Sequence, residues 1–375
     1  MQTKKDSSNL SPREIPPKIA GGPGRYIQGV RALDLLGETL GSFGEKPLIV
    51  SDDIVWSILG ERITEGLEES GLNSVLASFR GECCHSEIER ISSLCRDSGC
   101  DVVIGLGGGK TLDTAKAVST HLSLPVVIAP TIASNDAPTS RIIVIYNEQG
   151  ALTEVQYMPF NPNVVIVDTE VIANAPVRFL VAGIGDALPT KFEAEQSYAT
   201  GSLNLYNGRP IHTSLVLADT CYRLIRQYGV LAKKAVERNL VTEAVELVVE
   251  ANIYLSGLGV ECGGLAAAHA LTRGFSATEE MHGALHGEEV AFGLLVQLVL
   301  ENRSQNFLDD FIGFYRSIGL PCTLGELGLK NATENHLQVI AERSCYEGSH
   351  IYKMAVHVDE RSLIDAILMA DALGQ

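Results

Sequence analysis

A chain of 375 residues is longer than one compact core usually holds, and two domains are expected. Its 45% hydrophobic and 20% charged residues are those of a globular protein, and a net charge of −17 excludes nucleic acid or an anionic membrane surface as partner, because phosphate contacts need clustered Lys and Arg. There is no apolar run of about 18 residues, no signal-peptide core after Met1, and no CxxC pair among eight cysteines, so a cytoplasmic protein with reduced thiols is expected.

Residues 1–16 are polar and proline-flanked and read as a disordered leader. Pro47–Val50 reads as a buried strand ending at Ser51-Asp52-Asp53, followed by a helix over Ile54–Glu69. Asn73–Phe79 is a strand, Ser86–Cys95 a helix, Asp101–Gly105 a strand and Thr111–His121 a helix. Pro125–Pro130, Arg141–Tyr146 and Asn163–Asp168 complete the strands. Continuous apolar strands alternating with helices predict a parallel, Rossmann-like sheet covered on both faces, an α/β domain over 17–170. Ligands of such sheets lie at the carboxyl ends of the strands. Beyond about residue 170 strand-like runs vanish. Ile211–Tyr228, Val230–Val260 and Glu289–Asn302 keep helical periodicity, which predicts an all-α domain over 171–375 with the chemistry in the cleft between the two.

Gly107, Gly108 and Gly109 follow the strand directly, where backbone amides can approach a phosphate and a helix starting near Lys110 and Thr111 adds its positive end. The spacing GxGGGKT does not fit a nucleotide-triphosphate loop. Asp52 stands at the end of an earlier strand, where a carboxylate can bind a ribose diol and repel a 2′-phosphate; NAD is favoured over NADP. The loop from Pro130 to Ser140 would bring hydroxyls and the carboxylate of Asp136 to the cleft. In the second half Asp186, His269 and His286 supply oxygen and nitrogen donors suited to Zn²⁺ or Fe²⁺, with His282 one helical turn before His286. Taken singly, Asp186 could cap a helix and His269 could be an ordinary core histidine.

These residues resemble the glycerol dehydrogenase branch of the iron-containing (group III) alcohol dehydrogenase superfamily. The resemblance runs through Pro23–Gly29, Gly105–Ala117, Ala129–Ser134, Asp136–Pro138, Asn161–Asn163, Gly183–Leu188, Gly263–His269 and His286–Gly293. It implies a dehydroquinate-synthase-like architecture, with an NAD-binding α/β domain, a helical metal domain and a homo-oligomer. It implies Asp186, His269 and His286 as metal ligands, and Asp52, Gly107 to Thr111, Thr131, Ser134, Ser140, Ile142 and Tyr146 as cofactor contacts. Asp136 matches the carboxylate that contacts substrate hydroxyls, and His282 is a candidate proton relay. Relatives with iron carry a histidine four residues after the metal aspartate; Thr190 at that position favours three protein ligands and zinc. The implied activity is oxidation of a secondary hydroxyl of glycerol or a vicinal diol to a ketone, with the metal acidifying the hydroxyl and NAD accepting hydride.

Four residues depart from that branch: Arg141, Lys191, Val260 and Arg273. Three are cations beside site motifs, which raises the alternative of an anionic hydroxy substrate clamped by Arg141, Lys191 or Arg273. A further alternative is a metal-dependent lyase of the dehydroquinate synthase type, which shares the two-domain plan.

Overall fold

The computed structural model describes residues 15–148, 150 and 152–375. The expected leader falls almost wholly outside these residues; its last member, Pro16, accepts a hydrogen bond from Arg209 Nε at 2.8 Å. The first half comprises β1 (Arg25–Gly29), α1 (Leu36–Leu40), β2 (Pro47–Ser51), α2 (Asp53–Glu69), β3 (Val75–Ser78), α3 (His85–Ser98), β4 (Val102–Gly107), α4 (Gly109–Leu122), β5 (Val126–Pro130), β6 (Ile142–Tyr146), β7 (Leu152–Tyr157) and β8 (Val164–Asp168). Six of these strands form one parallel sheet in the order β1-β8-β5-β4-β2-β3. Alternate side chains go to opposite faces. Ile49, Ile104, Val127 and Ile166 face a small core under α1 and α2. Leu48, Val50, Val103, Ile128 and Val165 join a larger core that continues into the second half.

β6 departs from expectation. It lies outside the parallel sheet and pairs antiparallel with β7, Ile142 opposite Tyr157 and Val144 opposite Val155. Its burial alternates, whereas β2, β4, β5 and β8 are buried throughout. The all-apolar sequence of β6 conceals that period. α4 holds the hairpin in place through two buried side chains: Lys116 Nζ donates to the carbonyls of Ala137 (2.6 Å) and Ile142 (2.9 Å), and Asp113 Oδ2 accepts from Val144 N (3.0 Å).

Beyond residue 168 the described residues form no strand. The helices are α5 (Thr169–Asn174), α6 (Val177–Ala187), α7 (Pro189–Ala199), α8 (His212–Val236), α9 (Glu243–Glu250), α10 (Ser256–Gly263), α11 (Ala267–Phe275), α12 (His286–Leu300), α13 (Gln305–Ile318), α14 (Glu334–Ser344) and α15 (Glu360–Gly374). α8 runs through Gly229, where a break was expected. A Cβ there would come 3.3 Å from Phe314, so the glycine admits α13 rather than ending the helix. Between α9 and α10, Ala251–Leu255 forms a π-helical turn, with Ser256 N bonding back to Ala251 O. Among the described residues no helix is long and apolar enough to cross a membrane. All eight cysteines are free thiols; seven are buried and Cys345 is half-buried.

Candidate metal centre and dinucleotide crevice

Strand order in the sheet reverses between β2 and β4: the chain leaves β2 toward β3 on one side, and β4 leads to β5 on the other. Such a switch point opens a crevice at the carboxyl ends of the two strands. Ser51 and Leu106 are register partners there, so Asp52 and the glycine turn emerge side by side. Asp52 caps α2, its Oδ1 accepting from Ile54 N and Val55 N at 3.0 Å each. Oδ2 takes no part in the cap. A Cβ on Gly107 would stand 2.9 Å from Thr111, and one on Gly108 3.1 Å from Ile132, so glycine lets this turn close onto α4. Thr131 N donates to Gly107 O (3.1 Å), bringing the loop after β5 to the same place. Lys110 reaches Glu82 at 2.7 Å and lies over the Tyr146 ring. Ser140 and Thr111 are buried, and Ser134 and Ile142 are partly exposed.

The loop of residues 131–140 joins this crevice to the second site. Asp136 N donates to Asp186 Oδ2 (3.1 Å), and Ser256 Oγ, at the start of α10, donates to Asp136 Oδ2 (2.9 Å). The π-helical turn supports the same loop: Asn252 Nδ2 donates to Ala133 O, and Thr139 Oγ1 donates to Ile253 O (2.9 Å). Asp186 is buried on α6. Glycines set its approach to the loop and to α12, because a Cβ on Gly183 would collide with the Ala133 carbonyl and one on Gly185 with the Gly287 carbonyl.

Asp186, His269 and His286 converge, with donor atoms all within 4.8 Å of one another. Asp186 Oδ1 lies 3.6 Å from His269 Nε2 and 3.4 Å from His286 Nε2. That oxygen is buried and has no hydrogen-bond partner, a costly state for a carboxylate unless a cation shares it. His269 is nearly buried, while His286 is half exposed to the cleft, which leaves one side of the group open. Burial works against charge on His269, yet the Glu193 and Asp186 carboxylates outweigh it and push its pKa well up. Burial likewise opposes charge on Asp186, and the two imidazoles overcome it and hold the carboxyl below its ordinary range. Desolvation, then repulsion from Asp186, pushes Asp136 up to about 7. A field this negative, set by Asp136, Asp186 and Glu193, suits a divalent cation, and the donor set fits one.

Two contributors escaped the sequence reading. Glu193 is fully buried on α7 and binds His269 Nδ1 at 2.5 Å; its only sequence signal is its place seven residues after Asp186. Ser256 carried none. Thr190 is buried with Oγ1 3.1 Å from Ser256 Oγ and brings no imidazole to the group. His282 is exposed, with Nε2 bonded to the Ser276 carbonyl at 3.1 Å, and lies outside the three-donor cluster.

The cations expected to clamp an anionic substrate have other partners. Arg141 donates to the carbonyls of Met158 (3.2 Å) and Leu205 (2.7 Å), and its guanidinium lies over the rings of Tyr157 and Tyr206. Lys191 bridges Glu195 (2.8 Å) and Asp219 (2.7 Å). Arg273 is exposed and lies over the Tyr346 ring. Val260 packs with Leu205, Leu265 and Ile142 in a small separate cluster. Lys191 is thus paired with carboxylates of the protein itself, whereas Arg141 is held by carbonyls and rings, with its Nε buried and unpartnered.

A family model for iron-containing alcohol dehydrogenase matches residues 23–169. The chain is 43% identical over 358 residues to the glycerol dehydrogenase of Citrobacter freundii, covering 96% of this chain and 98% of that one. Its fold is similar to the crystal structure of a probable glycerol dehydrogenase from Sinorhizobium meliloti 1021 (TM-score 0.90, 43% identity, 95% of this chain and 99% of that one). It is also similar to that of glycerol dehydrogenase from Schizosaccharomyces pombe (TM-score 0.93, 36% identity, 96% and 92%). Near-complete likeness at this identity shows that the protein belongs to the iron-containing alcohol dehydrogenase family of oxidoreductases.

Proposed function

We propose that this enzyme oxidises the secondary hydroxyl of a small neutral polyol, glycerol or a vicinal diol, to the ketone, with NAD as acceptor and a zinc-type divalent ion held by Asp186, His269 and His286. The observation that carries the reading is Asp186 Oδ1, buried and unpartnered between two imidazole nitrogens. Thr190 supports zinc over iron, since it turns to Ser256 and leaves three protein donors with an open position. When bound, the ion supplies Lewis acidity toward a hydroxyl, and the dinucleotide supplies a two-electron acceptor. The chain does the rest. Asp52 and the Gly107–Gly109 turn hold the dinucleotide at the switch point, with Thr131, Ser134, Ser140, Ile142 and Tyr146 along its length. Asp136, steadied by Ser256, accepts a hydrogen bond from a substrate hydroxyl and so orients the carbon to be oxidised. His282, on an exposed turn before α12, is assigned proton exchange with solvent. We extend the reading to a cytoplasmic homo-oligomer with domains meeting near residue 170.

The test follows NADH formation with zinc-loaded enzyme on glycerol, 1,2-propanediol and three-carbon diols bearing a carboxylate, sulfonate or phosphate. Turnover of the neutral diols, lost on chelation and restored by zinc, is the expected result. Selective turnover of an anionic diol, or tightly held NAD with no net NADH, would overturn it.

A further inference from the structure

α11 carries His269, yet its start has no side chain that can cap it. The segment Gly263-Gly264-Leu265-Ala266-Ala267-Ala268 offers no oxygen, and its first amides lie buried in the core. Orphan amides at a buried helix start need acceptors from elsewhere. Two side chains from other helices provide them. Gln297 Oε1 on α12 accepts from Ala267 N (3.1 Å) and Ala268 N (3.0 Å). Glu193 Oε1 on α7 accepts from Ala266 N (2.8 Å) and His269 N (3.0 Å). The second oxygen of Glu193, Oε2, meets His269 Nδ1 at 2.5 Å.

We infer that Glu193 is a positioning residue that seats His269 for the metal twice over, capping the helix that carries it with one oxygen and orienting its ring with the other. A carboxylate only accepts, so Nδ1 is the donor, and Nε2 is the ring atom left facing Asp186 Oδ1 and His286. Glu193 is entirely buried and forms no ion pair with a Lys or Arg among the described residues, although Lys353 lies within its field. It therefore contributes negative charge to the metal centre without touching the ion. The inference rests on reading Asp186, His269 and His286 as metal donors.

Glu193→Gln separates the two roles. The amide oxygen still caps α11, but the amide nitrogen cannot accept from Nδ1. Zn²⁺ affinity, measured by competition with a chromophoric chelator, is expected to fall about 10- to 100-fold, while the metal-free protein keeps its circular dichroism spectrum and melts within a few degrees of wild type. Equal Zn²⁺ affinity in the two proteins would overturn the inference. Should Glu193→Gln not fold, Glu193→Asp keeps the charge but withdraws it by one methylene; unchanged affinity there overturns the inference equally. Wild type that binds no Zn²⁺, or His269→Ala that binds it undiminished, would instead sink the metal reading beneath it.

Discussion

Asp186 turns one oxygen to the Asp136 amide and the other to two imidazoles, so its charge organises both the loop of residues 131–140 and the two histidines. Asp186→Asn keeps the shape and removes the charge. Metal content after dialysis is expected to drop to background and kcat/KM to fall by about a hundred- to ten-thousandfold, read by elemental analysis and NADH formation. Glu289, on α12, shows a different consequence of burial. Desolvation pushes its carboxyl up to about 8, with only long contacts to Ser276 Oγ at 3.4 and 3.5 Å to oppose it. Its folded pKa exceeds the unfolded one, so it costs nothing while both states are protonated, and stability falls as pH rises from the unfolded value toward 8. Glu289→Gln should therefore melt like wild type near pH 4 and about 5 °C or more above it near pH 9, as followed by circular dichroism. That Asp186, His269 and His286 belong together was legible because each is of metal-ligand type, and the structure does bring them to one place. Glu193 was not, because it shares a short run with Glu195, which pairs with Lys191 near the surface; composition alone cannot tell a buried carboxylate from an exposed one.

At the scale of elements, the site depends on how α4 and the π-helical turn grip one loop. Asp113 and Lys116 stand three residues apart on α4, a spacing that usually puts an ion pair on a helix surface. Lys116 is instead fully buried and binds two carbonyls at the ends of the segment between Ala137 and Ile142. Lys116→Met fills much the same space but leaves Asp113 without its cation and two carbonyls without a donor. A loss of about 3–5 kcal/mol in urea unfolding is expected, with KM for NAD raised as the loop loosens. Strands β2, β4, β5 and β8 were legible as continuous apolar runs, the mark of burial on both faces. β1 was missed as a strand because Arg25-Tyr26-Ile27-Gln28-Gly29 is mixed in polarity at the edge of the sheet, and β7 because its side chains are mostly exposed. The π-helical turn has no signature of its own: Ala251-Asn252-Ile253-Tyr254-Leu255 keeps a helical pattern, and only packing against residues 133–139 reveals the extra residue in the turn.

For the whole molecule, the larger core passes from one face of the sheet into the helices, so the crevice and the donor group share a continuous packed floor. Metal loss should then be felt globally. Chelated enzyme is expected to melt roughly 5 °C below enzyme in excess zinc, and the gap should close as zinc is titrated back, measured by scanning calorimetry. That same floor encloses most of the sulfur in the protein. Burial holds the thiols of Cys95, Cys262 and Cys322 up to about 11 and that of Cys83 up to about 12, far from the thiolate that alkylating reagents attack. Only Cys345 is partly accessible. The native enzyme should incorporate at most one equivalent of iodoacetamide, and all eight only when the core opens. Alkylation would thus act as a built-in clock of global unfolding: mass shifts collected over hours would report how often the cleft floor comes apart, and whether bound metal slows it.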